Sequence, residues 1–468
     1  MRAEAVVIGG GIGGLNAAYQ LARQGVRPLL VESRGTCGGL VVGAPVAGTW
    51  IDLGAESYAR RSTYCHQLCA ELGLSTREPG GSSWVWLPND QVLPLPHGVL
   101  GIPSDLNDPN VALALSKEGL ARARQDLILG PEAGAGASDL ATLVRARLGE
   151  EAYQRLVRPV ASGIYSAEPE ELTSDVIVPG LRKALAETGS LTRAAAKLRA
   201  GAPPGSVVSS VVGGLFLLPR GLAEQITARG GEIATRTIVT RLLRDRDSWR
   251  VLCATARPGP TPADPPIAEG EPWEVRTDRV IVSADGRAAM ELLRPIPELE
   301  MGQWQLPRGT RVAHVVLALR HPGLDDGPRG SGLLVAAREP GSADISAKAL
   351  THLSIKWPWL REQTDVHFLR VSYGRPGEDP HPSVEQALAD ASTLLGLDLG
   401  AGHLESGFVV NWKDSLPPPT PLHRERIAAF QRRLTDLPGL GVTGAWIAGN
   451  GLASVLPHAH REAERISS

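Results

Sequence analysis

The sequence predicts an α/β fold with α+β insertions, and three observations lead to this prediction. A short apolar strand at Val6–Ile8 is followed at once by a glycine cluster, a helix and a second strand. Segments between residues 100 and 200 have helical periodicity, whereas residues 305–375 contain several strand-like runs. The strand–helix–strand order predicts a parallel sheet, and the other two stretches predict a helical subdomain and a mixed sheet inserted into the chain.

The composition is typical of a soluble globular protein with about two or three domains, because 43% of the 468 residues are hydrophobic and 21% are charged. The formal net charge of −2 provides no basic field for binding nucleic acid. We expect no leader peptide, because only four residues precede the first strand. We also expect no transmembrane segment, because no apolar run is long enough to span a bilayer.

The glycine cluster fits the dinucleotide-binding pattern G-x-G-x-x-G at Gly9, Gly11 and Gly14. Gly9 allows the tight turn, Gly11 lets a pyrophosphate approach the backbone, and Gly14 lets the next helix pack close to the strand. That helix, predicted from Asn16 to Gln24, offers free N–H groups and a partial positive charge to the phosphates. The first turn of the chain is therefore predicted to be a dinucleotide phosphate site.

The second strand, predicted over residues 26–31, ends at the acidic residue Glu32. A carboxylate here can accept hydrogen bonds from ribose hydroxyls, and it disfavours a 2′-phosphate. Further glycines follow at Gly38, Gly39 and Gly54. They resemble the second glycine motif of the FAD-dependent amine-oxidase-like superfamily, whose loop folds over the pyrophosphate and reaches the flavin. This resemblance favours FAD over NAD and implies a Rossmann-type FAD-binding domain.

The C-terminal segment is predicted to complete the same domain. Its sequence predicts a strand over residues 442–447, a turn at Gly449 and Asn450, and a helix from about Leu456. The N-terminus of this helix would face the ribityl phosphate and the flavin ring. The middle of the chain would then be inserted between the two ends.

Two other groups of residues have competing interpretations. Helical segments carry the basic residues Arg145, Arg147, Arg193 and Lys197, for which we favour a solvated charged face over contact with anionic lipid. Cys65 and Cys69 are four residues apart, but no pattern of histidines or acids completes a metal site. We predict free buried thiols and no metal.

Five further segments resemble the oxygen-dependent protoporphyrinogen and coproporphyrinogen oxidases. They are residues 93–106, 143–173, 213–226, 331–335 and 353–357, and they follow the order of that family along nearly the full chain. The resemblance implies an FAD-dependent oxidase of haem biosynthesis that removes six electrons from a porphyrinogen in three steps. Its acceptor would be O2, which gives H2O2, and the flavin rather than a side chain would carry the chemistry.

The chain departs from this family at two places. The usual Leu-Gly-Pro turn is Leu53-Gly54-Ala55, followed by Glu56, and the C-terminal Gly-x-Gly-x-Pro pattern is present only as residues 453–457. Glu56, the composition and the missing membrane anchor are most similar to the soluble bacterial branch associated with coproporphyrinogen III. We therefore predict coproporphyrinogen III as substrate, with protoporphyrinogen IX as the alternative.

Other functions stay open at this point. A flavin amine oxidase would need an aromatic cage near the C-terminal motif, and residues 450–460 contain no aromatic side chain. A carotenoid desaturase or isomerase is another enzyme alternative, and a non-catalytic FAD-fold scaffold or porphyrin-binding protein is the alternative of another class. The family resemblance also implies a cytoplasmic location. It leaves open whether the protein makes peripheral contact with the inner face of the membrane or transient contact with a ferrochelatase-type enzyme.

The resemblance and the motifs together assign individual residues to the two sites. The predicted cofactor residues are Gly9, Gly11, Ile12, Gly13, Gly14, Glu32, Ser33, Gly38, Gly39, Leu40, Gly54, Ala55, Glu56, Ser57, Val239, Ala284, Trp412, Gly449, Asn450, Val455 and Leu456. Val239 would present its backbone to the adenine. The isolated histidines His66, His97, His314 and His352 are predicted to be packing or surface residues.

The substrate site is predicted by position in the same family. Gly332 would let a flat macrocycle approach the backbone, and Leu334 would lie beside the flavin ring. Lys356, Arg370 and Arg60 are candidates for binding the propionates, with an ordinary salt bridge as the alternative for each. The predicted domains are an FAD-binding domain made of residues 1–85, 206–295 and 421–468, a helical subdomain with substrate-domain segments over 86–205, and a substrate-binding domain over 296–420.

Overall fold

The structure is a computed structural model that describes residues 1–165, 167–200, 208–306, 309–336, 343–415 and 421–467. These residues form a five-stranded parallel sheet, a seven-stranded mixed sheet and a group of helices. The α/β fold with α+β insertions is thus confirmed. Within the described ranges, no helix is both long and apolar enough to cross a lipid bilayer.

The five-stranded sheet is built from both ends and the middle of the chain. Its strands, in spatial order, are Glu232–Ala234, Pro28–Val31, Ala5–Ile8, Val280–Val282 and Leu440–Val442, all parallel. The last four are buried along their whole length, as expected for a parallel sheet with both faces covered. The two chain ends therefore meet in one sheet, as the glycine motif and the C-terminal segment predict.

Two helices cover one face of this sheet, Ile12–Arg23 and Leu452–Ser467. They are joined by a hydrogen bond from Asn16 Nδ2 to the Leu456 carbonyl oxygen at 2.7 Å. Gly286–Leu293 and Phe430 of a further helix pack on the opposite face. The first helix begins at Ile12 rather than Asn16, because the turn needs only the three residues that follow the strand.

The prediction for the C-terminal segment was wrong in two details. Residues Ala445–Ala448 form a short helix instead of continuing the strand, and the last helix begins at Leu452. Proline 457 lies inside that helix, although it has no N–H for the helical ladder. The helix tolerates it because Leu452, Leu456 and Ala459 are buried in the core formed with the first helix.

The seven-stranded sheet forms the second layer. Its strands, in spatial order, are Leu404–Ser415, Thr310–Leu319, His367–Tyr373, Ala349–His352, Gly332–Val335, Ser83–Trp86 and Val92–Pro94. Alternate residues such as Val315, Leu369 and Val371 pack beneath helix Val384–Leu395. The intervening residues, among them Arg370 and His314, lie on the opposite face, because successive side chains of a strand point to opposite sides.

The strand-like runs predicted between residues 305 and 375 contain strands of this sheet, but the run at 350–357 is a strand only as far as His352. Residues Leu353–Lys356 form a helical turn, which leads Trp357 into an apolar cluster with Phe368. Strand Ser83–Trp86 crosses the predicted boundary between residues 85 and 86. The division into domains stays a prediction.

The helical periodicity predicted for segments between residues 100 and 200 is confirmed. The helices observed in this stretch are Pro109–Ala114, Lys117–Arg124, Leu140–Leu148, Glu150–Ala152, Arg158–Tyr165, Ser174–Ile177, Leu181–Thr188 and Leu191–Ala200. Arg193 and Lys197 are exposed, as predicted. Arg147 contradicts its prediction, because its side chain is fully buried and its Nε donates to Asp126 Oδ1 at 2.6 Å. A buried carboxylate thus draws this arginine inward.

Smaller elements connect the layers. The strands are Gly43–Val46, Thr49–Asp52, Tyr58–Ala59, Thr76–Arg77, Gly98–Val99, Ile102–Pro103, Val208–Val211, Thr237–Asp245, Ser248–Arg257 and Ile267–Thr277. The helices are Thr63–Glu71, Leu217–Ala228, Trp359–Gln363 and Pro421–Thr435, with helical turns at Gln125–Leu127, Tyr153–Val157, Pro169–Glu171, Pro297–Leu299, Pro322–Leu324 and Ala401–His403.

Candidate functional site

The first glycine turn is closely packed on one side and open on the other. Gly9 has φ of +102°, and a Cβ there would lie 2.6 Å from the Ser283 carbonyl oxygen. A Cβ on Gly14 would lie 1.9 Å from the Gly9 oxygen, so both positions require glycine. A Cβ on Gly11, by contrast, would meet no protein atom within 4 Å. The turn is therefore open at Gly11, at the N-terminus of a helix, which is the arrangement that binds phosphate groups.

Glu32 lies against this turn, at the end of the second strand. Its Oε2 accepts from the Gly10 N–H and its Oε1 from the Arg34 N–H, both at 2.7 Å. The Ser33 hydroxyl also donates to Oε1, at 3.3 Å. These bonds orient the carboxylate, and Oε2 keeps a lone pair for a ribose hydroxyl. The Thr237 N–H donates to the Glu32 carbonyl oxygen at 2.9 Å, and Val239 is two residues further along that strand. A ribose bound by Glu32 would place the adenosine end of a dinucleotide on this side of the turn.

The second glycine motif packs directly on the first. The Gly38 N–H donates to the Gly10 carbonyl oxygen at 2.8 Å, and Gly38 has φ of +124°. The Ala55 N–H donates to the Leu40 carbonyl oxygen at 2.8 Å. A Cβ on Gly54 would lie 2.1 Å from that same oxygen, so the close approach of the two segments requires glycine.

The second glycine motif continues from the open side of the first turn, because the Cβ position of Gly39 lies 3.2 Å from Gly11 Cα. A dinucleotide with its adenosine at Glu32 and its phosphates at Gly11 would therefore extend toward Gly39 and Gly54. The indole Cζ2 of Trp412 lies 3.2 Å from the Cβ position of Gly54. The Trp412 Nε1–H is buried and has no hydrogen-bond partner among the residues described. A flavin, whose ring carries nitrogen and oxygen acceptors, fits beside such a donor.

The C-terminal helix also reaches the first glycine turn. Val455 Cγ1 lies 3.0 Å from the Cβ position of Gly13, and the Ala284 nitrogen lies 2.9 Å from that of Gly9. Gly449 has φ of +93° and lies three residues before the start of the helix. The remaining predicted residues lie in these same segments: Ile12 begins the first helix, Ser33 follows Glu32, Ser57 follows Glu56, Asn450 follows Gly449 and Leu456 contacts the first helix.

Glu56 lies where the second glycine motif meets the seven-stranded sheet. Lys356 Nζ donates to Glu56 Oε1 at 2.6 Å, and Arg370 Nη2 lies 3.0 Å from Oε2, outside hydrogen-bond geometry. Arg370 Nη1 donates to the Gly54 carbonyl oxygen at 2.9 Å. Burial raises the pKa of Glu56, but the charges of Arg370 and Lys356 outweigh it and hold the pKa at about 2. This buried carboxylate is ionised and joins the two layers.

The predicted substrate residues have different surroundings. Gly332 has φ of +140°, and a Cβ there would lie 2.2 Å from the Leu350 carbonyl oxygen, so the neighbouring strand already requires glycine. Leu334 is half-buried, and its Cδ2 lies 2.7 Å from the Cβ position of Gly163 on helix Arg158–Tyr165. Arg60 forms an ion pair with Glu78. Substrate binding by these residues stays a prediction.

Sequence reasoning missed Asp52 and treated His314 only as a packing residue. Asp52 is buried and accepts from the Leu215 and Phe216 N–H groups, both at 2.8 Å. Asp52 thus links the hairpin of strands Gly43–Val46 and Thr49–Asp52 to the start of helix Leu217–Ala228.

His314 lies on the same sheet face as Arg370. Arg370 pairs with Val316 of the neighbouring strand, and His314 is two residues before Val316. Its buried Nδ1 has no hydrogen-bond partner within the described ranges. Alternation along the strand could have placed it there, but only once the sheet pairing was known.

The other predicted groups are accounted for by local contacts. His66 Nδ1 lies 3.0 Å from the Tyr58 hydroxyl, and His97 Nδ1 lies 3.3 Å from an Arg199 nitrogen. Cys65 and Cys69 are buried free thiols whose pKa burial raises to about 11. In the part of the chain that the structure describes, no three metal-ligating side chains form a group.

The pH dependence of stability tests whether the buried His352 stays uncharged in the folded protein. Its Nε2 lies 3.0 Å from His367 Nδ1, and burial lowers its pKa to about 3, with repulsion from His367 and Arg361 adding to the effect. The unfolded chain therefore binds a proton between about pH 6.5 and pH 3 that the folded chain excludes, so stability falls as the pH falls through this window. We expect the free energy of unfolding to drop by about 2 kcal/mol more between pH 7 and pH 5 in the native protein than in a His352→Asn variant.

Urea unfolding at the two pH values measures this difference. Asp52 changes the pH dependence of stability in the opposite direction, because burial raises its pKa to about 7. This contribution is the same in the native protein and the variant, so it cancels when the two are compared. Equal pH dependence in the native and variant proteins would show that His352 is not excluded from protonation.

Comparisons with known proteins agree with this geometry. The sequence profile of the flavin containing amine oxidoreductase family matches residues 12–467. A coproporphyrinogen III oxidase from Staphylococcus aureus is 25% identical, with 100% of this chain and 99% of the relative covered. One from Mycobacterium bovis is 30% identical, with 97% and 95% covered. A crystal structure of a provisionally assigned protoporphyrinogen oxidase from Exiguobacterium sp. 255-15 superposes with a TM-score of 0.81 at 25% identity, and both chains are covered completely.

The family match begins at Ile12, directly after the first glycine turn, and extends to the last helix, so it contains all the other segments that build the site. The open turn at Gly11 and the buried indole donor of Trp412 fit the phosphates and the ring of FAD. The chain is an FAD-dependent oxidoreductase that belongs to the flavin containing amine oxidoreductase family.

Proposed function

We propose that the protein oxidises coproporphyrinogen III to coproporphyrin III. The macrocycle would lose six electrons and six hydrogens, and three O2 would become three H2O2. The observation that carries the proposal is the match over nearly the full length of both chains to coproporphyrinogen III oxidases at 25% and 30% identity. A match of this extent covers the seven-stranded sheet and the helical subdomain as well as the glycine motif that many flavoenzymes share.

The residues of the chain have separable tasks in this proposal. The turn at Gly11 holds the phosphates, and Gly54 with Trp412 flanks the ring end of the cofactor. FAD, when bound, supplies the electron acceptor and is reoxidised by O2. The half-buried Leu334 and the helix that contains Gly163 offer apolar contact to a flat macrocycle and exclude water from the reacting carbon.

The propionates of the substrate need cations other than the buried pair. Lys356 and Arg370 already contact Glu56, and Arg60 contacts Glu78. A carboxylate that displaced Glu56 from these partners would leave a buried charge unpaired, which is costly. The proposal therefore expects Lys356 and Arg370 to keep Glu56 when substrate binds.

Protoporphyrinogen IX is the second candidate substrate. The full-length superposition on the provisionally assigned protoporphyrinogen oxidase favours it. The two substrates differ in charge, because coproporphyrinogen III carries four propionates and protoporphyrinogen IX carries two.

Porphyrin fluorescence distinguishes the candidates. The purified protein with FAD is mixed in air with each porphyrinogen, and fluorescence and H2O2 are followed against enzyme-free autoxidation. We expect a higher kcat/KM for coproporphyrinogen III, with about one H2O2 for each two electrons removed. Faster oxidation of protoporphyrinogen IX would replace the proposed substrate, and no enzyme-dependent fluorescence from either would reject the porphyrinogen oxidase function.

The location and partners of the protein are part of the same proposal. We propose a cytoplasmic protein that makes transient contact with a ferrochelatase-type enzyme and peripheral contact with the inner face of the membrane. Leu113 and Ile128 of the helical subdomain are exposed large apolar side chains, which supports a contact through this subdomain.

A further inference from the structure

Glu56, Lys356 and Arg370 form a buried cluster with an excess of positive charge. The carboxylate contributes −1 and the two basic groups contribute +2, so the net charge is +1. The side chains of Glu56 and Arg370 are 6% and 10% exposed, and that of Lys356 is 22% exposed. The adjacent His314 adds no charge, because burial and the Arg370 and Lys348 charges lower its pKa to about 3. The three side chains are therefore a local positive field that solvent screens poorly and that the nearby Asp52, with a pKa raised by burial to about 7, neutralises only in part.

One donor of this cluster has no partner within the described ranges. Arg370 Nη1 donates to Gly54 and Nη2 contacts Glu56, but the buried Nε–H has no acceptor among the residues described. A buried donor of this kind is normally satisfied in the native state. An acceptor on a bound molecule would satisfy it.

The cluster lies at the ring end of the cofactor rather than at its adenosine end. The dinucleotide runs from Glu32 past Gly11 to Gly54, and Arg370 holds the Gly54 carbonyl oxygen itself. Trp412, with its own unpartnered donor, lies on Gly54 as well. Two residues with buried donors thus contact Gly54, where the flavin ring would lie.

We propose that Glu56 is a positioning residue that holds Lys356 and Arg370 at the flavin ring as a cluster of net charge +1, and that this cluster raises the reduction potential of the bound flavin. Reduction adds negative charge to the ring, so a fixed positive field stabilises the reduced form more than the oxidised form. Glu56 limits the field, because it neutralises one of the two cations. The inference depends on FAD binding and not on the identity of the substrate.

Two substitutions change the net charge in opposite directions. Glu56→Gln keeps the shape of the side chain and leaves a net charge of +2, whereas Arg370→Met leaves a net charge of zero. We expect the first to raise and the second to lower the equilibrium constant for two-electron reduction by at least tenfold, about 30 mV in each direction. The control is Glu78→Gln, which makes the same charge change at the half-exposed ion pair with Arg60 and should leave the potential unchanged.

The potential is measured by slow anaerobic reduction of the purified holoenzyme in the presence of a reference dye. Shifts of opposite sign support the proposal, because a merely structural role would loosen FAD in both variants without this pattern. Shifts of the same sign, or an effect of Glu78→Gln of equal size, overturn it. An unchanged potential with an altered KM also overturns it and assigns the cluster to the substrate.

A variant that fails to retain FAD is replaced by a milder one. Lys356→Met also leaves a net charge of zero, and this side chain is the most exposed of the three. It should lower the potential as Arg370→Met does. Arg370→Lys keeps the charge and should keep the native potential, so a large shift in that variant counts against the electrostatic role.

Discussion

Replacing Gly11 with alanine should weaken FAD binding by about 100-fold or more, which is about 2.7 kcal/mol, while the fold stays intact. Gly11 has φ of −64°, which any residue adopts, and a Cβ there meets no protein atom within 4 Å. The added methyl group therefore costs the protein little. It occupies the space through which the pyrophosphate approaches the backbone, so the cost falls on the bound cofactor.

Gly400→Ala is a closely matched control. Gly400 also precedes a helical turn, has φ of −103°, and its Cβ would meet no protein atom within 4 Å. Both apoproteins are titrated with FAD and followed by flavin fluorescence, and their far-ultraviolet circular dichroism is compared. Native FAD affinity in Gly11→Ala would contradict the placement of the phosphates, and loss of affinity in both variants would indicate a general effect of the substitution.

Replacing Arg147 with methionine should destabilise the helical subdomain by about 3–5 kcal/mol. The guanidinium is fully buried and donates to Asp126 Oδ1 at 2.6 Å and to the carbonyl oxygens of Gly130 and Gly189 at 2.6 and 2.5 Å. Methionine fills part of the volume but leaves a buried carboxylate without its counter-charge. Such a loss is a large share of the stability of a typical domain.

Asp126 makes a double substitution informative. Its carboxylate also accepts from the Ser190 hydroxyl at 2.6 Å and from the Leu191 and Thr192 N–H groups at 2.9 Å. Asp126→Asn combined with Arg147→Met removes the unpaired charge, so urea unfolding should show part of the stability restored. Arg193→Met, at an exposed position of the same subdomain, should change the stability by less than about 0.5 kcal/mol. An equally small effect of Arg147→Met would contradict the role of the buried ion pair.

The phosphate side of the site could be predicted from the sequence because it depends on local backbone geometry. The spacing of Gly9, Gly11 and Gly14 is set within one strand, one turn and one helix, and the structure places them as the motif requires. The helical subdomain was predictable for the same reason, since periodicity is a property of neighbouring residues.

The charged groups were predicted less well, because their surroundings come from distant parts of the chain. Arg147 has the same local sequence pattern as a solvated helix residue, but Asp126 buries it. Arg370 and Lys356 were candidates either for the propionates or for ordinary salt bridges, and the sequence could not show that both lie at Glu56, which is about 300 residues earlier.

The sequence by itself determined the order of the elements, the glycine turns and the family to which the chain is similar. Only the tertiary structure decided which charges meet, which glycines are required by a neighbouring strand, and on which sheet face His314 and Arg370 lie. The physical reason is that turns and periodicity need only neighbouring residues, whereas burial and ion pairing are set by contacts that exist only after the chain has closed its two sheets.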